Sequence, residues 1–139
     1  MRNGGHYLLN ADFEWYFRQW TEQQLRPLLK RLVMQGKTVV WRDTAPGGNA
    51  QSHHVKYTYY ANFPLQNRVM RALMRDIGGY YLPIFAASNA QWTQHVGFSE
   101  LHGNRGDELH WCAYEEGSVP NMWNQVLLAL LLDLEQNAK

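Results

Sequence analysis

A single cysteine, Cys112, stands among 139 residues. No disulfide can close within the chain, and no multi-cysteine metal site can form. Such a chain suits a reducing compartment, or a secreted domain whose partner cysteine lies outside these residues. Excess charge is also missing. Thirteen Lys and Arg face 12 Asp and Glu, for a net charge of +1, and the basic residues are scattered. This excludes the electrostatic footprint of a nucleic-acid binder and a polybasic membrane patch. Long apolar runs are absent. The longest, Val126 to Leu132, has seven residues, against the roughly 20 that span a bilayer. The polar start, Met1 to His6, lacks the apolar stretch of a signal peptide. There is no internal repeat and no low-complexity segment. Neither H-E-x-x-H nor C-x-x-C occurs. The six histidines, among them His53-His54, His95, His102 and His110 beside Cys112, therefore lack the tight pairs of a zinc site. No metal and no other cofactor is expected.

The chain is rich in apolar and aromatic residues. At 45% hydrophobic it can build the core of one domain. Six Trp and eight Tyr supply rings for that core, or for stacking on sugars.

The order of elements reads as α/β. Residues 11 to 35 are helical by period, with Leu25, Leu28, Leu29, Leu32 and Val33 on one face. Thr21 and Gln24 have capping-box spacing, Pro27 argues against an unbroken helix, and Gly36 is a C-terminal stop. Val39 to Trp41 reads as a buried parallel strand, and residues 43 to 56 as a loop. A second helix over about Leu65 to Asp76 turns Val69, Leu73 and Ile77 inward and Arg68, Arg71 and Arg75 outward. Gly78-Gly79 ends it, and Tyr80 to Ala86 reads as a second buried strand. A polar stretch follows from Ser88 to Glu108. Ser118 and Pro120 then open a last helix with Trp123, Val126, Leu127, Leu130, Leu131 and Leu134 on its core face. Alternation of this kind implies parallel crossovers, and ligands bind past the carboxyl ends of such strands.

The segment Gly106 to Cys112 carries the clearest chemistry. An Asp three residues before a His, in a loop leading to a helix, can set its carboxylate beside the imidazole Nδ1. That fixes the tautomer and leaves Nε2 as a general base. Asp107 and His110 have this spacing, which a surface ion pair or loop hydrogen bond would equally produce. Arg42 and Thr44 leave the first strand at its carboxyl end and are candidate contacts to a sugar or acyl group; a salt bridge from Arg42 to Asp43 is the plainer alternative. Ser88 follows the second strand but lacks the flanking glycines of a nucleophile elbow. Ser52, Ser99 and Ser118 read as loop or capping residues.

Asp107-Glu108-Leu109-His110-Trp111-Cys112, followed by Trp123-Asn124 and Leu127-Leu128 on a C-terminal helix, resembles the closing block of the PC-esterase family. That family takes in trichome-birefringence-like polysaccharide O-acetyltransferases of plants and capsule and sialate O-acetylating proteins of fungi and animals. Asn3-Gly4-Gly5-His6-Tyr7 is similar to its N-x-G-H-W element. Val39-Val40-Trp41-Arg42-Asp43-Thr44-Ala45-Pro46 resembles its strand followed by F-R-T-x-S-P. The three blocks run in family order across nearly the whole chain.

The resemblance implies a partial SGNH-like three-layer α/β fold, with a parallel sheet flanked by helices. It implies a Ser-His-Asp triad with Asp107 as orienting acid, His110 as base and Asn3 as oxyanion-hole donor, and it sets Trp111 with Arg42 and Thr44 at the substrate. The implied partners are a glycan or other acylated small substrate and an acyl donor, in the secretory pathway or Golgi. Departures are equally specific. No Gly-Asp-Ser occurs, so the nucleophile is expected from outside the chain. Glu108 replaces the block's first cysteine. The expectation is one domain, truncated before its N-terminal strands, with an open sheet edge and an exposed apolar patch. Such a chain alone would aggregate or melt with poor cooperativity. The alternative function is a catalytically inactive, sugar-binding or scaffold remnant that stacks ligands on Trp41, Trp92 and Trp111.

Overall fold

The computed structural model describes residues 13–46, 62–91, 95–98, 106–111 and 117–137, with side chains described at 15–46, 62–91, 111 and 117–137. The elements in chain order are α1 (Phe13–Trp20), a π turn (Thr21–Leu25), α2 (Arg26–Met34), β1 (Val40–Arg42), α3 (Asn62–Ile77), β2 (Tyr80–Leu82), α4 (Phe85–Ala90), β3 (His95–Phe98), β4 (Gly106–Trp111) and α5 (Val119–Asn137). The chain divides into two compact units. The first holds α1 through β2 and ends at Phe85; the second takes α4 from Ala86, then β3, β4 and α5.

Helix, turn and helix run continuously from 13 to 34, because Pro27 is accommodated where the helix widens. The Arg26 N–H bonds the Thr21 carbonyl five residues back. This π turn just before Pro27 spares the proline ring its clash with the carbonyl four residues before it. Thr21 lies inside this turn, fully buried and preceded by a helical Trp20, so the expected capping box does not form. A cap residue needs non-helical backbone ahead of the first turn. Leu25 and Leu29 are buried, and Leu28 is exposed.

Both helix stops obey one rule. Gly36 N–H bonds Val33 O and Lys37 N–H bonds Leu32 O; Gly78 N–H bonds Arg75 O and Gly79 N–H bonds Met74 O. Each is a Schellman motif, and its glycine has φ of +73° or +76°. Each stop turns the chain into a strand. Gly78→Ala should therefore lower stability by roughly 1 kcal/mol, the cost of left-handed backbone in a residue with a Cβ. Urea denaturation of the variant checks this; an unchanged midpoint would contradict it.

β1 and β2 pair in parallel, Val40 opposite Tyr80, Trp41 opposite Tyr81 and Arg42 opposite Leu82, with α3 as the crossover. The first unit is thus a βαβ element with a small two-stranded parallel sheet, an α/β arrangement dominated by helices. Its core is Leu25, Leu29, Met70, Leu73, Met74 and Ile77, with Trp41 and Tyr81 packed against it. Val69, Leu73 and Ile77 face inward and Arg68, Arg71 and Arg75 outward, as the 3.6-residue period predicts.

Two strand expectations need correction. β2 stops at Leu82, because Pro83 has no N–H for the ladder, and Phe85 begins a helix instead. Burial on both faces does not hold either, since Tyr80 is exposed.

In the second unit, β3 and β4 form an antiparallel hairpin within the segment read as a polar stretch and loop. Ser118 and Pro120 open α5 as expected, the Ser118 Oγ accepting from the Asn121 N–H at 3.4 Å. The half-buried line of α5 is Trp123, Leu127, Leu130 and Leu134, while Val126 and Leu131, expected inside, are exposed with Leu128 and Leu132. This helix is apolar around most of its circumference, so periodicity could not pick out one face.

Candidate functional site

At the carboxyl end of β1 the chain leaves the sheet as Asp43-Thr44, and the first two turns of α3 meet it with amide side chains. Asp43 is 2% exposed. Its backbone N–H continues the ladder to Leu82 O at 3.0 Å, and its Oδ2 accepts from the Phe85 N–H at 3.0 Å. The carboxylate thus holds the Phe85 peptide from the residue that follows β1. Burial raises its pKa above the ordinary carboxyl value. The backbone N–H groups of Phe85 and Ile84 and the positive charge of Arg71 pull against that rise.

The next peptide is clasped on both sides. Thr44 N–H donates to Asn67 Oδ1 at 2.9 Å, and Asn67 Nδ2 donates back to Thr44 O at 3.0 Å. One side-chain amide here does the work of a ladder residue. The Thr44 hydroxyl reaches Gln66 Oε1 at 3.5 Å, the long limit for such a bond. Tyr81 OH donates to the Asn67 carbonyl at 3.1 Å, and the Arg71 guanidinium lies 4.9 Å over the Tyr81 ring, a cation–π distance. Asn62, Gln66 and Asn67 are all buried. Beside the apolar core, the βαβ element therefore encloses a polar cluster at the edge where α/β sheets take ligands.

Of the residues singled out in the sequence, Arg42 and Thr44 stand at this edge. Arg42 is exposed, yet partial burial lowers its guanidinium pKa somewhat; with that exposure it stays protonated. The charge that acts on Asp43 is that of Arg71 rather than Arg42. Trp111 closes β4, is 8% exposed, and meets Trp123 edge-on with ring centroids 6.1 Å apart. Ser88 is fully buried, its Oγ accepting from the Trp123 indole N–H at 2.7 Å, a hydrogen-bonding role in a helix rather than at a strand end. Asn3 and Trp92 lie outside the described residues. Among those described, no group of three or more His, Cys, Asp or Glu is gathered to hold a metal, and no helix is long and apolar enough to cross a membrane.

Asp107 and His110 fall in β4, not in the loop that their spacing suggested; only their backbone is within the described residues. Their stretch of the strand is irregular. His95 pairs with Trp111 and Gly97 with Asp107, so Val96 alone lies opposite Glu108, Leu109 and His110. In a regular strand, residues three apart belong to opposite faces. The irregularity of β4 lies within the D-x-x-H block.

Asp43, Asn62, Gln66 and Asn67 were not singled out as site residues in the sequence. A signal existed: the core face of α3, followed backwards from Ile77 and Leu73, runs onto Gln66 and Asn62, amides where apolar residues belong. No protein-family model, curated protein or solved structure matches the chain.

The raised Asp43 pKa has a consequence for stability. Between the ordinary carboxyl value, about 4, and its own higher value, the folded protein binds more protons than the unfolded chain. Stability therefore falls as pH rises through that window and is level above it. Asp43→Asn keeps an oxygen for the Phe85 N–H and removes the charge. Relative to the parent, the variant should be more stable at pH 7 than at pH 3.5, read from urea midpoints. The same offset at both pH values would show that Asp43 titrates normally.

Proposed function

We propose that the protein transfers or hydrolyses an O-acyl group, acetyl in the family it resembles, on a carbohydrate hydroxyl. In this reading the chain is part of an SGNH-like three-layer domain of the PC-esterase kind. A serine from outside these residues attacks the acyl carbonyl and gives its proton to His110, which Asp107 orients. His110 returns that proton to the departing hydroxyl, and the serine ester passes its acyl group to water or a sugar. The observation that supports the reading is the break in strand register across Asp107 to His110, beside a closing block with W-C and W-N in family order. The parallel βαβ element, with Arg42 and Thr44 at its carboxyl edge, is compatible with it.

A protein extended upstream tests the proposal. A fluorophosphonate probe should label one serine in a Gly-Asp-Ser element, and acetate should be released from an acetylated glycan or from p-nitrophenyl acetate. Neither labelling nor release would sink it. The second reading, an inactive sugar-binding remnant, is favoured by the absence of Gly-Asp-Ser from these residues and by exposed Trp15 and Tyr16, whose rings meet at 5.0 Å. Tryptophan fluorescence that saturates with glycan oligomers, without turnover in the extended protein, would select it.

A further inference from the structure

Trp123, one turn into α5, joins two other elements of the second unit. Its indole N–H donates to Ser88 Oγ on α4 at 2.7 Å. Its ring meets that of Trp111 edge-on, with centroids 6.1 Å apart and planes at 71°. Ser88 is 0% exposed and Trp111 8%. Rings in this arrangement attract beyond the area they bury. A hydrogen bond from the indole to an enclosed hydroxyl fixes the rotation of the ring as well as its place. One side chain thus ties α4, α5 and the end of β4 together.

What the tie holds is the strand that carries the D-x-x-H block. β4 pairs with β3 at Asp107–Gly97 before the block and at Trp111–His95 after it, and the register shifts in between. A two-stranded hairpin is marginal by itself, so a stretch with three residues opposite one depends on its two ends. Gly97 brings no side chain to the first end. At the second, Trp111 carries both the ladder pair and the contact with Trp123, and His110 is its neighbour in the chain. A general base works only when held within about 0.5 Å of its productive place. We propose that Ser88 and Trp123 are positioning residues for His110: through Trp111 they fix the peptide that joins His110 to the end of β4, and with it the place of the imidazole. The inference rests on the acyl-transfer reading for what His110 does there, and adds which residues hold it.

Ser88→Ala removes the acceptor, and Trp123→Phe removes the N–H while keeping a ring beside Trp111. In the chain labelled at histidine Cε1, with the His110 signal assigned by its loss in His110→Gln, each variant should displace that signal and its titration midpoint. Leu128→Ala, at an exposed position of the same helix, should leave both in place. In the protein extended upstream, each of the two variants should lower kcat for acetate release about tenfold or more, with KM little changed, because a small displacement of a catalytic group falls on the chemical step. Adding Ser88→Ala to Trp123→Phe should cost nothing further, since the bond is already gone. Should Trp123→Phe fail to fold, Ser88→Ala, which removes one oxygen, carries the test. A purely structural tie would lower the urea midpoint and leave the His110 signal and kcat of the folded variants at the parent values, and that result overturns the proposal. A loss confined to KM, or a further loss in the double variant, overturns it as well. If the extended protein releases no acetate, the acyl-transfer reading falls by itself, and the His110 signal alone decides whether Ser88 and Trp123 position that residue.

Discussion

In a protein that also carries the serine, His110→Ala should lower kcat for acetate release by about four orders of magnitude or more, with little change in KM. The base acts on the reacting proton rather than on bound substrate, so its loss falls on the chemical step. Asp107→Asn should cost a similar factor, because an amide selects the wrong imidazole tautomer. The double variant should be hardly worse than His110→Ala alone, since residues that act as one unit do not add. Additive losses would mean that the two residues work separately, and full activity in His110→Ala would reject the assignment. Asp107 and His110 flank the irregular part of β4. Deleting Leu109 would shorten the bulged strand and should reduce kcat with the two residues untouched.

Leu73→Ala should cost about 2–5 kcal/mol, a large share of the 5–15 kcal/mol that holds an ordinary domain. Leu73 is 1% exposed and packs with Leu25, Leu29, Met70, Met74 and Ile77. Truncation there removes transfer energy and leaves a cavity among residues from three helical segments. Leu28→Ala, at 39% exposed, should cost less than about 1 kcal/mol. Urea midpoints of the two variants give the comparison, and equal losses would show that the faces of α2 and α3 are wrongly assigned. Because α3 also carries Asn62, Gln66 and Asn67, Leu73→Ala should broaden their side-chain amide resonances as well.

What was legible in the sequence is what local chemistry determines. The apolar period of α3, the glycines that end α2 and α3, Ser118 ahead of α5 and the β-branched run before Trp41 each act within a few residues. The helix–strand–helix–strand order and the parallel pairing followed from them. Spacing and resemblance make Asp107 and His110 candidates, but they could not give their backbone, because strand or loop depends on whether β3 is there to pair. The polar cluster was beyond local reading for the same reason. Asp43 and Phe85 are 42 residues apart, and Thr44 and Asn67 are 23 apart. Nothing near Asp43 in the chain shows that its carboxylate will be buried, because the groups that enclose it arrive from α3 and from the end of β2. The burial of Asp43 and the clasp of Asn67 on Thr44 are products of the βαβ crossover, which brings distant polar groups into one low-dielectric place where each must find a partner.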